Sequence, residues 1–424
     1  MNVAVLAAVL LALGAVTALA QDPCSDAAGL NALDTKVRDL ITKTDLESRK
    51  AKIESAKQFL EKYGNCESAK KFAEYLTPII AKWEKTYRDA LEAKKKAELT
   101  DPFDAALKAK DWDKVYSSGK QILQVYPDDF RTVEIVLASI GGEEALKNNA
   151  KYADDALLFA KQSIADLEAG KSFMVGDKTR YGLRDVDANK KVIYDFEFPS
   201  KEDALGWLNY YAGYITNVVK KDKVAALPYL YKATQVSSGS KDKPGPYTLI
   251  GDYYIAEGDK LADEIQALSK AQAPTDTEEV AKQKADAIKA KVALANGTSE
   301  RAIDAFARAL GRSSASDATY RANLKKKLDF SYNRRFGKME GLDAWVANVQ
   351  KQPFVNPTTP VTPISDPEPA PSTTTTTTTT PPAVKPGTTP AKPPTPTKPA
   401  AIPVSTTGKP QATVKKPVAK KKTT

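Results

Sequence analysis

Residues 110–127 read KDWDKVYSSGKQILQVYP, and this stretch decides the fold class. Small or apolar residues follow Trp112 at three, seven, ten and eleven positions, and Pro127 comes four positions after the last of them. Residues at this spacing share one face of an α-helix, and proline ends a helix because it lacks the amide donor. The stretch therefore predicts an amphipathic helix that must pack against a partner helix.

The same stripe recurs along the chain. Residues 222–234 carry Ala226, Leu230 and Ala233 at small, large and small positions, and residues 300–310 repeat this pattern. Residues 52–63 form a looser copy. Partner helices are indicated by residues 247–254, which read YTLIGDYY, and by the aromatic run from Trp207 to Tyr214. Such pairs cannot bury their apolar faces alone, so they are expected to stack.

These patterns resemble the tetratricopeptide repeat (TPR) family, in the form of an exported bacterial TPR-like protein. The resemblance implies an all-α, TPR-like helix-pair solenoid in residues 101–350 that binds other proteins. The spacing departs from the family, because Trp207 and Tyr247 are 40 residues apart instead of 34. An insertion near residues 171–200 is expected to form a loop with a short hairpin, and residues 320–350 are expected to close the stack.

The resemblance also points to a binding groove, because first helices line the concave face in this family. Aromatic side chains are common anchors for a bound peptide. An interior position between helices is the alternative for each aromatic residue. The predicted ligand-binding residues are Asn209, Tyr210, Thr216, Thr248, Asp252 and Tyr253.

The beginning of the chain predicts export. Residues 3–20 are almost wholly apolar and end in Ala-Leu-Ala, which is typical of a signal peptide cleaved after Ala20. An uncleaved membrane anchor is the alternative, since the run has the length of a membrane span. The expected location is the periplasm, the cell surface or the extracellular space, where disulfides persist.

Residues 21–100 are expected to form a helical hairpin region that holds both cysteines of the chain. Asp45 has the position of a helix N-cap and Gly64 that of a C-cap. Two antiparallel helices of similar length would bring Cys24 and Cys66 to the same end of the hairpin. A disulfide is therefore expected, with two free buried thiols as the alternative.

Residues 351–424 are predicted to form a disordered tail. The region from Pro357 onward holds 17 of the 27 prolines and carries a net charge of +7, out of +10 for the chain. Proline opposes helix and sheet, and the region offers little apolar surface to bury. The final lysines favour contact with a cell-wall polymer or anionic lipid, and export argues against nucleic acid. A solubilising linker is the alternative.

Composition excludes several kinds of chemistry. The chain has no histidine, so it lacks a Ser-His-Asp triad, a Cys-His pair and an ordinary zinc site. Glycoside hydrolysis requires paired carboxylates, which could come from Asp154, Asp155, Asp185, Asp187 and Asp195. Solvated acids on helix faces are the ordinary alternative. We expect no cofactor, no metal and no enzymatic activity.

The sequence thus predicts a non-catalytic exported scaffold for protein or peptide partners in the cell envelope. Self-association into a structural surface protein is one alternative. A glycan-binding or glycan-processing envelope protein is the other.

Overall fold

The computed structural model describes residues 22–366, so the predicted signal peptide and residues 367–424 of the predicted tail lie outside it. The described chain is mostly helical, and its helices pack as sequential pairs, which confirms the all-α prediction at this level. It divides into two compact units, one up to Pro102 and one from Phe103 onward. Each described helix is too short or too polar to span a membrane.

The first unit contains α1 (Ala27–Ile41), α2 (Leu46–Tyr63) and most of α3 (Lys70–Ala109). The Asp45 side chain accepts a hydrogen bond from the Ser48 amide and so caps α2, as predicted. A core of Val37, Phe59 and Leu76 joins the three helices. Apolar burial of this kind is the main stabilising contribution to the hairpin.

A disulfide between Cys24 and Cys66 closes this unit, and the two Cα atoms are 5.3 Å apart. The prediction of a bridge is therefore confirmed, and the alternative of two free thiols is wrong. The bond links the short turn before α1 to the segment that follows α2. It also indicates an oxidising compartment.

The second unit continues with pairs of helices. Their bounds are α4 (Trp112–Val125), α5 (Arg131–Leu146), α6 (Ala153–Glu168), α7 (Lys201–Tyr214), α8 (Lys223–Gln235), α9 (Pro244–Lys270), α10 (Glu278–Arg312), α11 (Ala318–Phe336) and α12 (Leu342–Val349). Helices α5 and α6, α7 and α8, and α9 and α10 form pairs. In addition α5 contacts α7, and α7 contacts α9, so the first helices of successive pairs pack together.

Local signals explain where these helices begin and how closely they pack. Asp111 and Asp222 accept hydrogen bonds from amides in the first turns of α4 and α8 and cap both helices. A Cβ atom at Gly251 would lie 2.7 Å from the Phe306 ring, so only glycine permits this approach of α9 to α10. Both helices extend well beyond the predicted stretches 247–254 and 300–310, because no residue in the extensions stops the helix.

Residues 171–200 form two hairpins, whereas the sequence predicts a loop with one. Strand β1 (Met174–Val175) pairs antiparallel with β2 (Lys178–Thr179), and β3 (Arg184–Val186) pairs antiparallel with β4 (Val192–Asp195). Asp187 closes the second hairpin by accepting hydrogen bonds from the Asn189 and Lys191 amides. The first hairpin depends on Gly176, whose positive φ of 63° suits a tight turn.

The predicted start of the disordered tail at residue 351 is wrong. Residues 351–366 form an extended segment that packs against helices of the second unit. We call this segment the strap. Its few apolar residues pack against the helices of the second unit, and this burial orders the segment despite its prolines.

We expect the disulfide to stabilise α1 and α2 chiefly by restricting the unfolded chain. The double substitution Cys24→Ser and Cys66→Ser should lower the stability of this hairpin by about 4 kcal/mol. Hydrogen exchange measured by mass spectrometry would show faster exchange in α1 and α2. Helices α7 and α8 provide the internal control, and unchanged exchange in α1 and α2 would contradict the expectation.

Candidate functional site

The strap lies in a groove whose walls come from α8, α9, α10 and α11. Phe354 is its main apolar anchor and is only 8% exposed. The Phe354 ring centroid lies 5.2 Å from that of Tyr247 and 6.2 Å from that of Tyr231. Burying an aromatic side chain in this way contributes on the order of 2–3 kcal/mol. The groove therefore contains a defined aromatic pocket.

Arg308 of α10 holds the strap beside this pocket. Its Nη2 atom donates hydrogen bonds of 2.7 Å to the Val349 and Gln352 carbonyl oxygens, and its guanidinium carbon is 5.2 Å from the Phe354 ring centroid. Arg308 is buried and its Nε donates to Asp304 over 2.6 Å. Burial raises the pKa of Asp304 despite the nearby cation. The carboxylate fixes the direction of the Arg308 side chain.

Arg301 and Asn296, also on α10, contact the middle and the end of the strap. Arg301 Nη1 donates to the Asn356 carbonyl oxygen over 3.1 Å. Asn296 Nδ2 donates to the Ile364 carbonyl oxygen over 3.1 Å, and the Ile364 amide donates to the Ala293 carbonyl oxygen over 2.8 Å. A tight bend at Asn356, closed by a 3.1 Å hydrogen bond from the Thr359 amide, separates the two parts.

The far end of the strap meets Arg335 of α11. Arg335 pairs with Glu300 of α10 at 2.8 Å and with Asp366 at 2.9 Å. Arg335 is buried although it is charged, whereas Phe330 on the same helix is 51% exposed. The reason is that two carboxylates neutralise Arg335 where the strap meets α10 and α11.

The helices contact mainly the backbone of the strap. Five strap carbonyl oxygens accept hydrogen bonds from side chains of the helices, those of Gln352, Phe354, Asn356, Pro360 and Ile364. Gly297 lets the chain approach α10, since a Cβ atom there would lie 2.2 Å from the Thr362 carbonyl oxygen. Only Phe354 and Pro357 of the strap are buried. The size and shape of the side chain therefore matter most at these two positions.

Four of the six predicted ligand-binding residues lie in the interior. Asn209, Tyr210, Thr216 and Thr248 are each at most 8% exposed. Asn209 donates to the Leu205 carbonyl oxygen, and Thr248 shares a 2.8 Å hydrogen bond with the Tyr320 hydroxyl. Asn209 and Tyr210 are buried because α7 is packed against α5, α6, α8 and α9 together, and Thr248 is buried because α9 is packed against α7, α8 and α10. These residues do not offer a surface for a partner.

The other two predicted residues, Asp252 and Tyr253, are partly exposed on α9. Asp252 pairs with Lys327 of α11 at 2.6 Å, and the Tyr253 ring packs edge-on against Tyr254 at 5.2 Å. The structure does not join them to the other four in one open groove.

The acids considered for glycan chemistry make structural contacts. Asp187 closes a hairpin, and Asp185 pairs with Lys108 at 3.2 Å. Asp195 lies 4.0 Å from Arg184 on the facing strand. Among residues 22–366 no three cysteine or acidic side chains are placed to bind a metal together.

A second cluster of polar groups is buried between α5 and α6. Glu134 is 2% exposed, and its Oε1 accepts a 2.9 Å hydrogen bond from Gln162. Its Oε2 makes no hydrogen bond. Burial, with the nearby charge of Asp166, raises the pKa of Glu134 to about 7, although Arg131 and Lys171 act against this. Asp166 is paired with both of these cations, at 3.3 and 2.7 Å.

The sequence contains a signal for the groove, but the signal lies within a helix that also carries the repeat pattern. Arg301, Asp304, Arg308 and Arg312 follow one another at intervals of three and four residues. Such residues form a single helix face, and this face is charged in a segment otherwise rich in alanine. Phe354, an isolated aromatic residue near prolines, is the complementary signal. Neither signal shows by itself that the two segments lie in contact.

Comparison of the chain with protein-family models, with curated proteins and with solved structures found no match.

The raised pKa of Glu134 makes stability depend on pH. In the folded state Glu134 keeps its proton up to about pH 7, whereas in the unfolded state it loses the proton near the ordinary glutamate pKa of 4.5. The contribution of protonated Glu134 to the free energy of unfolding is therefore complete below pH 4.5. This contribution, about 3 kcal/mol, is lost as the pH rises through about 7. Glu134→Gln imitates the protonated form and should remove this loss.

Urea unfolding at pH 5 and pH 8 would measure the effect. The free energy of unfolding of Glu134→Gln should exceed that of wild type at pH 8. The excess should be smaller at pH 5. Glu340→Gln, at a side chain that is 88% exposed, is the matched control. An equal difference from wild type at both pH values would contradict the assignment.

Proposed function

We propose that this protein is a non-catalytic exported scaffold of the TPR-like type that binds partner proteins in the cell envelope. The observation that carries the proposal is the strap itself. The helices of the second unit hold an extended peptide through an aromatic pocket and side-chain hydrogen bonds to its backbone. A helix stack that holds one extended chain in this way has the chemistry to hold another.

The helix arrangement supports the TPR-like part of the proposal. First helices of successive pairs contact each other, from α5 to α7 and from α7 to α9. Gly251 and Ala226 lie at close helix contacts, where repeats of this kind place small residues. The hairpins β1–β4 and the long α9 and α10 are additions to a regular repeat.

Export is supported by the disulfide, because such bonds persist in oxidising compartments. The signal peptide lies outside the described residues and stays a prediction. So does contact of the lysine-rich tail with a wall polymer or anionic lipid.

Crosslinked capture from intact envelopes would test the scaffold function. The bait would be the mature chain and a version that ends at Asp366, which keeps every contact of the strap. We expect both to capture the same discrete protein, because binding belongs to the helices. Capture of wall polymer or lipid alone, lost with residues 367–424, would contradict the proposal and assign the function to the tail.

A further inference from the structure

The strap groove has the properties of a binding site in which the chain's own segment is a replaceable occupant. Its contacts to the groove walls are side-chain hydrogen bonds, one backbone hydrogen bond to α10, the ion pair of Asp366 with Arg335, and two buried side chains. Within the described chain no disulfide ties the strap to the groove walls, and Val355 and Thr358 of the strap are exposed. A segment fixed by such contacts exchanges with a competitor of the same chemistry.

The backbone contacts define what such a competitor must look like. Arg301, Arg308 and Asn296 donate to carbonyl oxygens, which every peptide carries. An extended chain presents these oxygens without breaking a helix or a sheet of its own, and proline favours that conformation. The groove therefore selects extended, proline-containing segments over folded ones.

The two buried strap residues define the side chains. Phe354 fills the pocket of Tyr231, Tyr247 and Arg308, and Pro357 is buried three positions later. Pro357 is buried directly after Asn356, where the chain bends. The groove thus binds a sequence pattern in which proline follows an aromatic residue by three positions.

We infer that the groove formed by Tyr231, Tyr247, Arg301 and Arg308 is a binding site for extended partner peptides with an aromatic residue three positions before a proline. The strap is its intramolecular competitor. This inference rests on the proposed scaffold function and names its site and partner chemistry. A tethered competitor acts at an effective concentration in the millimolar range, so partners of modest affinity bind only when the strap leaves.

Asp366 supports a role for the strap as competitor. Its carboxylate is 60% exposed yet pairs with Arg335, which is buried. Arg335 keeps its second partner, Glu300, when Asp366 moves away, so the buried cation is not left unpaired. The end of the strap can therefore detach without stranding a buried charge.

The test uses full-length variants and a fluorescein-labelled synthetic peptide with the sequence of residues 351–366. Phe354→Ala and Ile364→Pro each weaken the strap without changing the groove, the first by emptying the pocket and the second by removing the amide that contacts Ala293. Val355→Ala is the matched control, because this side chain is 44% exposed. Fluorescence anisotropy measures peptide binding.

We expect Phe354→Ala and Ile364→Pro to bind the labelled peptide at least about tenfold more tightly than wild type and Val355→Ala. That factor corresponds to about 1.4 kcal/mol. A peptide with alanine at the position of Phe354 should not bind. Two variants are used because either could unfold, and circular dichroism identifies the one that remains folded.

Folded variants that bind the peptide no better than wild type would overturn the inference. Equal binding of the alanine peptide would also overturn it, since the aromatic pocket would then recognise nothing. Arg301→Ala, combined with Phe354→Ala, should abolish the gain, whereas Lys282→Ala on the same helix should not. If envelope capture succeeds while peptide binding fails, the scaffold function stands and uses another surface.

Discussion

The structure of the second unit depends on one constraint. A helix pair that has apolar residues on two faces must bury both faces against other parts of the chain. Helix α7 meets this constraint by packing against helices from the pairs before and after it. The last full pair, α9 and α10, has no further pair of the same kind within residues 22–366. Helix α11 covers one side of α10, and α12 with the strap covers another. Uncovered apolar surface there would cost about 25 cal/mol for each Å².

The strap differs from a helix in how it satisfies this constraint. A helix hydrogen-bonds its own backbone, but an extended chain leaves its carbonyl oxygens in need of donors. Helix α10 supplies those donors from Asn296, Arg301 and Arg308. The arginines thus have a role that a closing helix would not require. This is why a structural cap at the end of the stack has the same chemistry as a peptide-binding site.

Several features of the fold could be predicted from sequence because they depend on local chemistry. Asp45 caps α2, and Cys24 and Cys66 lie at one end of a hairpin. The groove could not be predicted in the same way. Residues of α7 such as Asn209 and Tyr210 have types found on binding surfaces, but packing by four other helices buries them, and that packing is not local.

The strap shows a related limit. Its composition predicts disorder, because proline and threonine dominate and few apolar residues are present. A prediction of disorder from composition counts only the apolar residues within the segment. Phe354, however, is buried against Tyr247, which lies more than 100 residues earlier in the chain. A segment that cannot form a core of its own is still ordered when another part of the chain supplies the partner surface. The long separation hides that partner from any local pattern.

Hydrogen exchange at the Ile364 amide tests the central claim that the helices hold the strap. Nuclear magnetic resonance of the full chain would compare this amide with the same amide in the isolated peptide 351–366. The account predicts at least about tenfold slower exchange in the full chain, because the amide donates to Ala293, and a partial loss of this protection in Arg301→Ala. Exchange as fast as in the isolated peptide would contradict the account.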